Sequence, residues 1–324
     1  MDKQRRAFVA AVAAALASTS LATKAAAARR VVWTHGEEMI EEHRKRVTRF
    51  FKEEGLTDGP TFTLQFDNLY ELRDEAKIEK QARAIVASRP DVIVVGDVER
   101  FKRLTPEIPI VFQNAWCDAT LVRQGIVQSL RHPGGNITGT AQPLLTAKGY
   151  GIARQLKPGL KRVGVLSLGP PMPPLEIQVV REAAAGLKVD VVEILYPKGA
   201  PFPEVQRAIV AARVDAVDVA LDPGDVPWLK DLTLFLERRR IIGLWGEANF
   251  IHEGGLLAVH HDGGAGLREA VRIIVKILAG ANPADIPVNV IRDVHVTINR
   301  ATATRMGITL PQDVLTEADI VFKK

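Results

Sequence analysis

The stretch Asp91-Val92-Ile93-Val94-Val95 constrains the fold most. Its four consecutive β-branched side chains make a strand that is apolar on both faces. Such a strand is stable only where both faces are covered, as in a parallel sheet flanked by helices. Ile108-Pro109-Ile110-Val111-Phe112 repeats the pattern, and Arg30-Val31-Val32-Trp33 is a shorter version of it. Thr61 to Phe66 alternates apolar and polar residues as a further strand. Segments of helical spacing lie between these runs: Gly36 to Glu54, through Met39, Ile40, Val47, Phe50 and Phe51, and then Leu72 to Ser88 and Leu121 to Leu130. Strand and helix in alternation imply parallel sheets joined by right-handed crossovers.

A forced turn, Pro133-Gly134-Gly135, interrupts this rhythm, because Pro fixes φ and glycine tolerates φ > 0. Asn136-Ile137-Thr138-Gly139 then reads as a short buried strand, the last of a first lobe. The alternation restarts with a helix over Leu144–Leu156. Strands follow at Arg162–Leu166, Asp190–Ile194, Ala216–Ala220, Ile241–Leu244 and Leu256–Val259. Helices are expected at Leu175–Gly186, Phe202–Ala212, Trp228–Arg239 and Gly266–Ala279, then a strand at Val294–Ile298 and a short helix at Ala301–Met306. The fold class is α/β: two Rossmann-like lobes with a ligand cleft between them, at the C-terminal ends of the strands. The division expected is residues 29–140 plus about 263–290 for one lobe and 141–262 plus about 291–324 for the other.

At 324 residues, 47% hydrophobic and 25% charged, the chain can bury a sizeable core. Its net charge of +5 is concentrated at the start. Lys3, Arg5, Arg6 and Lys24 stand against Asp2 within residues 1–28, so only +2 remains beyond them. No basic stripe interleaved with aromatics appears, which argues against a nucleic-acid partner. The start itself reads as a signal peptide over residues 1–28, cleaved near Arg29. Ala7 to Leu21 follows its charged residues as an apolar stretch, and small residues follow that. Arg5-Arg6 leaves a Sec or a twin-arginine route open. No later run could span a membrane. Cys117 is the only cysteine, so no intrachain disulfide exists, and it reads as a small buried thiol. An exported, periplasmic protein is expected.

All four tryptophans, Trp33, Trp116, Trp228 and Trp245, fall at or shortly after predicted strand ends, where an indole would suit an aromatic or apolar ligand. Polar groups share those positions. Thr34 and His35 follow the first strand, Asp97 the third, Gln113 and Asn114 the fourth, and Thr140 the last of the lobe. In the second lobe Leu168 and Gly169 follow its first strand, and Asp222 and Glu247 follow later ones. Hydroxyls can hold a carboxylate, and Asp or Glu an ammonium, so the set suits a zwitterion such as an amino acid. His260-His261-Asp262 could bind a metal, touch an organic ligand or be structural at a lobe crossing. Adjacent histidines on a strand point to opposite faces and chelate poorly, so no metal is expected. The sequence holds no G-x-S-x-G, H-E-x-x-H or P-loop, and neither enzyme activity nor a cofactor is expected.

The chain resembles the substrate-binding proteins of ABC transporters, in particular the group associated with tryptophan and tyrosine uptake. Leu130-Arg131-His132-Pro133-Gly134-Gly135-Asn136-Ile137-Thr138-Gly139 is similar to that family's S-L-x-x-P-G-G-N-x-T-G. Ile108 to Phe112, Asp222-Pro223, Gly254-Gly255-Leu256, Gly280 to Pro287, Ile298-Asn299, Gly307 to Pro311 and Ala318-Asp319 carry further similarity. Departures fall at the cleft: Gly96-Asp97-Val98-Glu99, Leu168 to Pro174, and the surroundings of Val259-His260. The resemblance implies a periplasmic binding protein of type I, closing on a small molecule and delivering it to the membrane subunits of an ABC permease. The scaffold is kept and the pocket changed, so tryptophan itself is not assumed. The alternative is a sensory module presenting its closed form to a membrane receptor.

Overall fold

The computed structural model describes residues 28–34, 40–72, 74–115, 118–168, 172–197, 199–219, 228–261 and 263–322. The first sheet begins with β1 (Arg29–Trp33), β2 (Phe62–Phe66), β3 (Val92–Val95), β4 (Ile110–Ala115) and β5 (Ile137–Ala141). It is completed by β11 (Asn289–Val290), in the order β11-β5-β4-β3-β1-β2, and every pairing is parallel. Helices α1 (Ile40–Glu53), α2 (Glu75–Ala87), α3 (Val98–Leu104) and α4 (Asp118–Arg123) connect these strands.

The second sheet takes β6 (Arg162–Leu168), β7 (Asp190–Tyr196), β8 (Ala216–Val219), β9 (Ile242–Trp245), β10 (Leu257–His261), β12 (Val294–Asn299) and β13 (Ile320–Phe322). Its order is β13-β12-β10-β9-β8-β6-β7, and only β10 with β12 is antiparallel. The helices of this half are α5 (Thr146–Leu156), α6 (Pro174–Ala185), α7 (Phe202–Ala212), α8 (Leu229–Arg239), α9 (Asn249–His252), α11 (Arg300–Met306) and α12 (Gln312–Glu317). The long helix α10 (Gly263–Leu278) follows β10 of the second sheet yet packs on the first. Leu267, Val271 and Ile274 lie against Val31, Val92, Val94 and Val111. The chain thus crosses between the sheets after β5, before α10 and before β12.

The forced turn is realised. Gly134 sits at φ 74°, where a side chain would also collide with Gln128. Gln128 N–H donates to the Pro133 carbonyl at 2.9 Å, and Val288 N–H donates to the Leu130 carbonyl at 2.7 Å, tying the turn to the return of the chain. One predicted helix is shorter than its periodicity. The Leu121–Leu130 segment is helical only over Asp118–Arg123, because Gly125 takes φ 67° and ends the turn. Helix α3 is an addition, nucleated by Asp97, whose carboxylate accepts the Arg100 N–H at 3.1 Å. Strand β13 and helices α9 and α12 are likewise additions.

Candidate functional site

The strand order sets the C-terminal ends of β5, β4, β3 and β1 side by side, bringing Thr140, Gln113, Asp97 and Thr34 to one edge. Between β4 and β5 the register breaks. Phe112 pairs with Gly139 and Ala115 with Ala141, so Gln113 and Asn114 together oppose Thr140. This is a β-bulge, a device that re-aims side chains at functional edges. Gly139 permits it, since a Cβ there would collide with the Phe112 carbonyl oxygen.

The polar groups on this edge are used unequally. Thr34 is buried, and its hydroxyl donates to the Val94 carbonyl at 2.9 Å. Thr140 is fully buried. Asp97 is exposed and serves as the cap of α3, with its second oxygen 2.9 Å from Arg100 Nε. Arg100 is itself buried at 7% exposure and pairs with Glu75 at 2.8 Å and Glu79 at 2.9 Å, so the β3–α3 corner is pinned. The hydrogen bonds that it donates to these carboxylates hold the guanidinium protonated, against the cost of its burial. Gln113 differs. It is 9% exposed, and its Oε1 is buried without a hydrogen-bond partner. A buried unsatisfied amide group costs about 1–3 kcal/mol, so its retention needs a reason.

Two of the tryptophans, Trp33 and Trp245, are buried where the sequence suggested a ligand-facing position. Trp33 ends β1 but is 1% exposed and turns inward, edge-on to Phe51 at 6.4 Å and tilted to Phe66 at 6.5 Å. Trp245 ends β9 and stacks on Phe250 at 4.7 Å. Side chains at Gly243 and Gly255 would run into its indole. Trp228 stacks on Phe202 at 5.3 Å. Turning a buried indole out into a cleft would forfeit about 4–6 kcal/mol of burial as an upper estimate, and Trp33 and Trp245 pack into cores. Trp116, Cys117, His35, Gly169 and Asp222 lie outside the described residues. Asn114 and Leu168 are placed on β4 and β6 by their backbone alone. Glu247 is exposed beyond the end of β9.

His260 and His261 diverge, as neighbours on a strand must. His260 Nε2 lies 3.1 Å from Thr297 Oγ1, and its ring is 5.6 Å from that of His295, its cross-strand partner. His261 Nε2 lies 3.3 Å from the Pro143 carbonyl, on the first crossing between the sheets. Burial, with His260 and His295 adding to it, pushes His261 below the usual histidine range. Among the described residues no three His, Cys, Asp or Glu side chains are grouped to hold a metal ion.

One acidic group absent from the sequence reading stands out on the opposite sheet. Asp218 lies one residue before the end of β8, with neighbours Val165 on β6 and Leu244 on β9. The Tyr150 hydroxyl, from the second turn of α5, donates to Asp218 Oδ2 at 2.9 Å. Burial pushes the Asp218 carboxyl up to about 6, and the Tyr150 hydrogen bond works against that rise. Arg123 at the end of α4 reaches the second half of the molecule, where its Nη1 is 3.0 Å from Glu182 Oε2 on α6. That bond holds the Glu182 carboxyl below its usual range. Nearby, burial and the charge of Glu99 on α3 raise the carboxyl of Glu176, at the start of α6.

A family model described as ABC transporter substrate binding protein matches residues 35–322. The chain belongs to that family. Its members bind small-molecule solutes and work with ABC transporters; no described helix here is long and apolar enough to cross a membrane. A protein named tyrosine-binding protein from Clostridioides difficile is 23% identical over 270 residues, 81% of this chain and 76% of the relative. The fold matches that of an ABC domain from Streptococcus pneumonia in complex with L-Trp. The TM-score is 0.74 and the identity 23%, with coverage of 91% of this chain and 99% of the other. A ligand-free, open substrate-binding protein from Clostridium difficile with adhesive properties aligns at a TM-score of 0.66 and 20% identity, covering 92% and 100%.

Proposed function

We propose that this substrate-binding protein is exported to the periplasm, closes its two lobes on an amino acid and delivers it to the membrane subunits of an ABC permease. The lobes divide as residues 29–140 with 263–290 and 141–262 with 291–324. The Gln113 carboxamide carries the reading. It sits on a bulge at the strand edge where parallel sheets take ligands, and its buried oxygen accepts no hydrogen bond among the described residues. A carboxamide offers both an acceptor and donors, which suits the polar end of an amino acid. The L-Trp complex and the tyrosine-binding relative support the class of ligand. Closure follows from differential affinity: a ligand bridging both halves shifts the molecule toward the form in which it touches both.

Calorimetry on the purified chain against the twenty amino acids, benzoate, a hexose and Zn²⁺ tests the proposal. Saturable binding of one or a few amino acids without turnover is expected. Binding of a sugar or metal alone, or consumption of the ligand by mass spectrometry, defeats it. N-terminal sequencing of exported protein tests the leader, with a start near Arg29 expected.

A further inference from the structure

Asp218 is a charge in the wrong place for a folding role. Its strand, Ala216-Val217-Asp218-Val219, is otherwise apolar and lies in the interior of the second sheet. A carboxylate there forfeits hydration, and replacing it with an apolar residue of similar volume is often neutral or stabilising. Among the described residues no cation compensates it and no ion pair reaches it, and the Tyr150 hydroxyl on Oδ2 is its only hydrogen-bond partner there. Nor is it sealed. Asp218 keeps part of its surface accessible, whereas Val217 and Val219 on either side are fully buried.

Strand β8 rises toward its C-terminal end, and Asp218 is one residue short of it. Helix α5 begins at Thr146, directly after the first crossing between the sheets, and Tyr150 is in its second turn. Side chains on a helix lean toward its N-terminus, so the phenol points back toward that crossing. The carboxylate and its hydroxyl therefore sit just beneath the edge that faces the first lobe.

We infer that Asp218, oriented by Tyr150, is the anionic receptor for the ammonium group of the ligand, on the lobe opposite Gln113. The inference rests on the amino-acid reading above. A cationic amine supplies the charge and the N–H donors that Asp218 lacks in the protein. Tyr150 occupies one carboxylate oxygen and leaves the other for the ligand. Lobe closure removes the remaining water from the pair and strengthens it. Asp97 and Glu247 are less suited, since Asp97 is committed to Arg100 and both are exposed.

The inference has a protonic signature. Only the ionised carboxylate holds an ammonium, so binding below about pH 6 expels a proton and affinity rises with pH across that range. Titration calorimetry with L-tryptophan and L-tyrosine, in pairs of buffers differing in ionisation enthalpy, should show proton release at pH 5.5 and none at pH 8. Asp218→Asn should weaken these amino acids about 10- to 100-fold and abolish the proton release. It should leave the weaker binding of the deaminated acids, 3-(4-hydroxyphenyl)propionate and indole-3-propionate, unchanged. Tyr150→Phe keeps the charge and removes the hydrogen bond that lowers the Asp218 carboxyl. It should move the midpoint of the affinity-versus-pH curve upward, which a purely structural tyrosine would not do. If wild-type protein binds the amino acids and Asp218→Asn binds them equally well, this assignment is wrong and the amino-acid reading stands. If wild-type protein binds the deaminated acids but no amino acid, the reading falls and takes the assignment with it. Should Asp218→Asn fail to fold, an unmoved midpoint in Tyr150→Phe overturns the assignment alone.

Discussion

Replacing Gln113 by Met sets stability against binding. Methionine has nearly the same length and volume and adapts to an irregular site, so the perturbation is chiefly removal of the carboxamide. In the unliganded protein the Oε1 of Gln113 is buried with nothing to accept from among the described residues. An orphaned polar group of this kind costs about 1–3 kcal/mol, which Gln113→Met should return. For a cooperative unit of about 150–250 residues each kcal/mol moves the melting temperature by about 2–4 °C, so unliganded Gln113→Met should melt about 2–12 °C higher. The same change deletes hydrogen bonds to the charged end of a bound amino acid. About 1.5–3 kcal/mol of binding should disappear, weakening affinity ten-fold or more. Thermal melts with and without saturating ligand read both effects at once: the baseline rises and the ligand-induced increment shrinks. A variant that melts lower than wild type with its ligand increment intact would refute the reasoning, because Gln113 would then be a packing residue with no call on the ligand.

Other perturbations separate scaffold from site. Gly139→Ala drives a methyl group into the Phe112 carbonyl, so it should cost at least about 1–3 kcal/mol and lower the melting temperature with or without ligand. Arg123→Ala removes the ion pair to Glu182, whose members are each 46% exposed. Unliganded stability should hardly change, and affinity should fall about 2- to 5-fold at low salt and less at high salt, read by calorimetry at two ionic strengths. In the folded protein Asp218 gains its proton near pH 6, against about 4 for an unfolded chain, so the folded state binds more protons between these values. Stability is therefore lost as pH rises from about 4 to 6 and stays lower above that. Asp218→Asn should then be more stable than wild type by about 2 kcal/mol at pH 8, with the gain vanishing at pH 4, as urea denaturation at both pH values would show.

The α/β class was legible because it depends on local periodicity. The runs Val92–Val95 and Ile110–Phe112 can be stable only in a sheet covered on both faces, and intervening helices supply the cover. The turn at Pro133-Gly134-Gly135 was legible from the steric limits of those residues. That Gln113 and Thr140 lie at the C-terminal ends of neighbouring strands was legible from the alternation of strand and helix. The bulge that sets Gln113 and Asn114 against Thr140 was not, because it arises from a register between two chains of residues distant in sequence. The inward turn of Trp33 and Trp245 was not either. A strand end fixes where an indole starts, and the aromatic rings of Phe51, Phe66 and Phe250 decide which way it lies. Asp218 gave one overlooked sign, a lone charge inside an apolar strand. Its meaning needed tertiary structure, since only the placement of Tyr150 on a helix 68 residues earlier shows which carboxylate oxygen is hydrogen-bonded. Local sequence determines which elements form through short-range sterics and burial. What a side chain meets at the end of its element is set by partners far away in the chain, and there the fold alone decides.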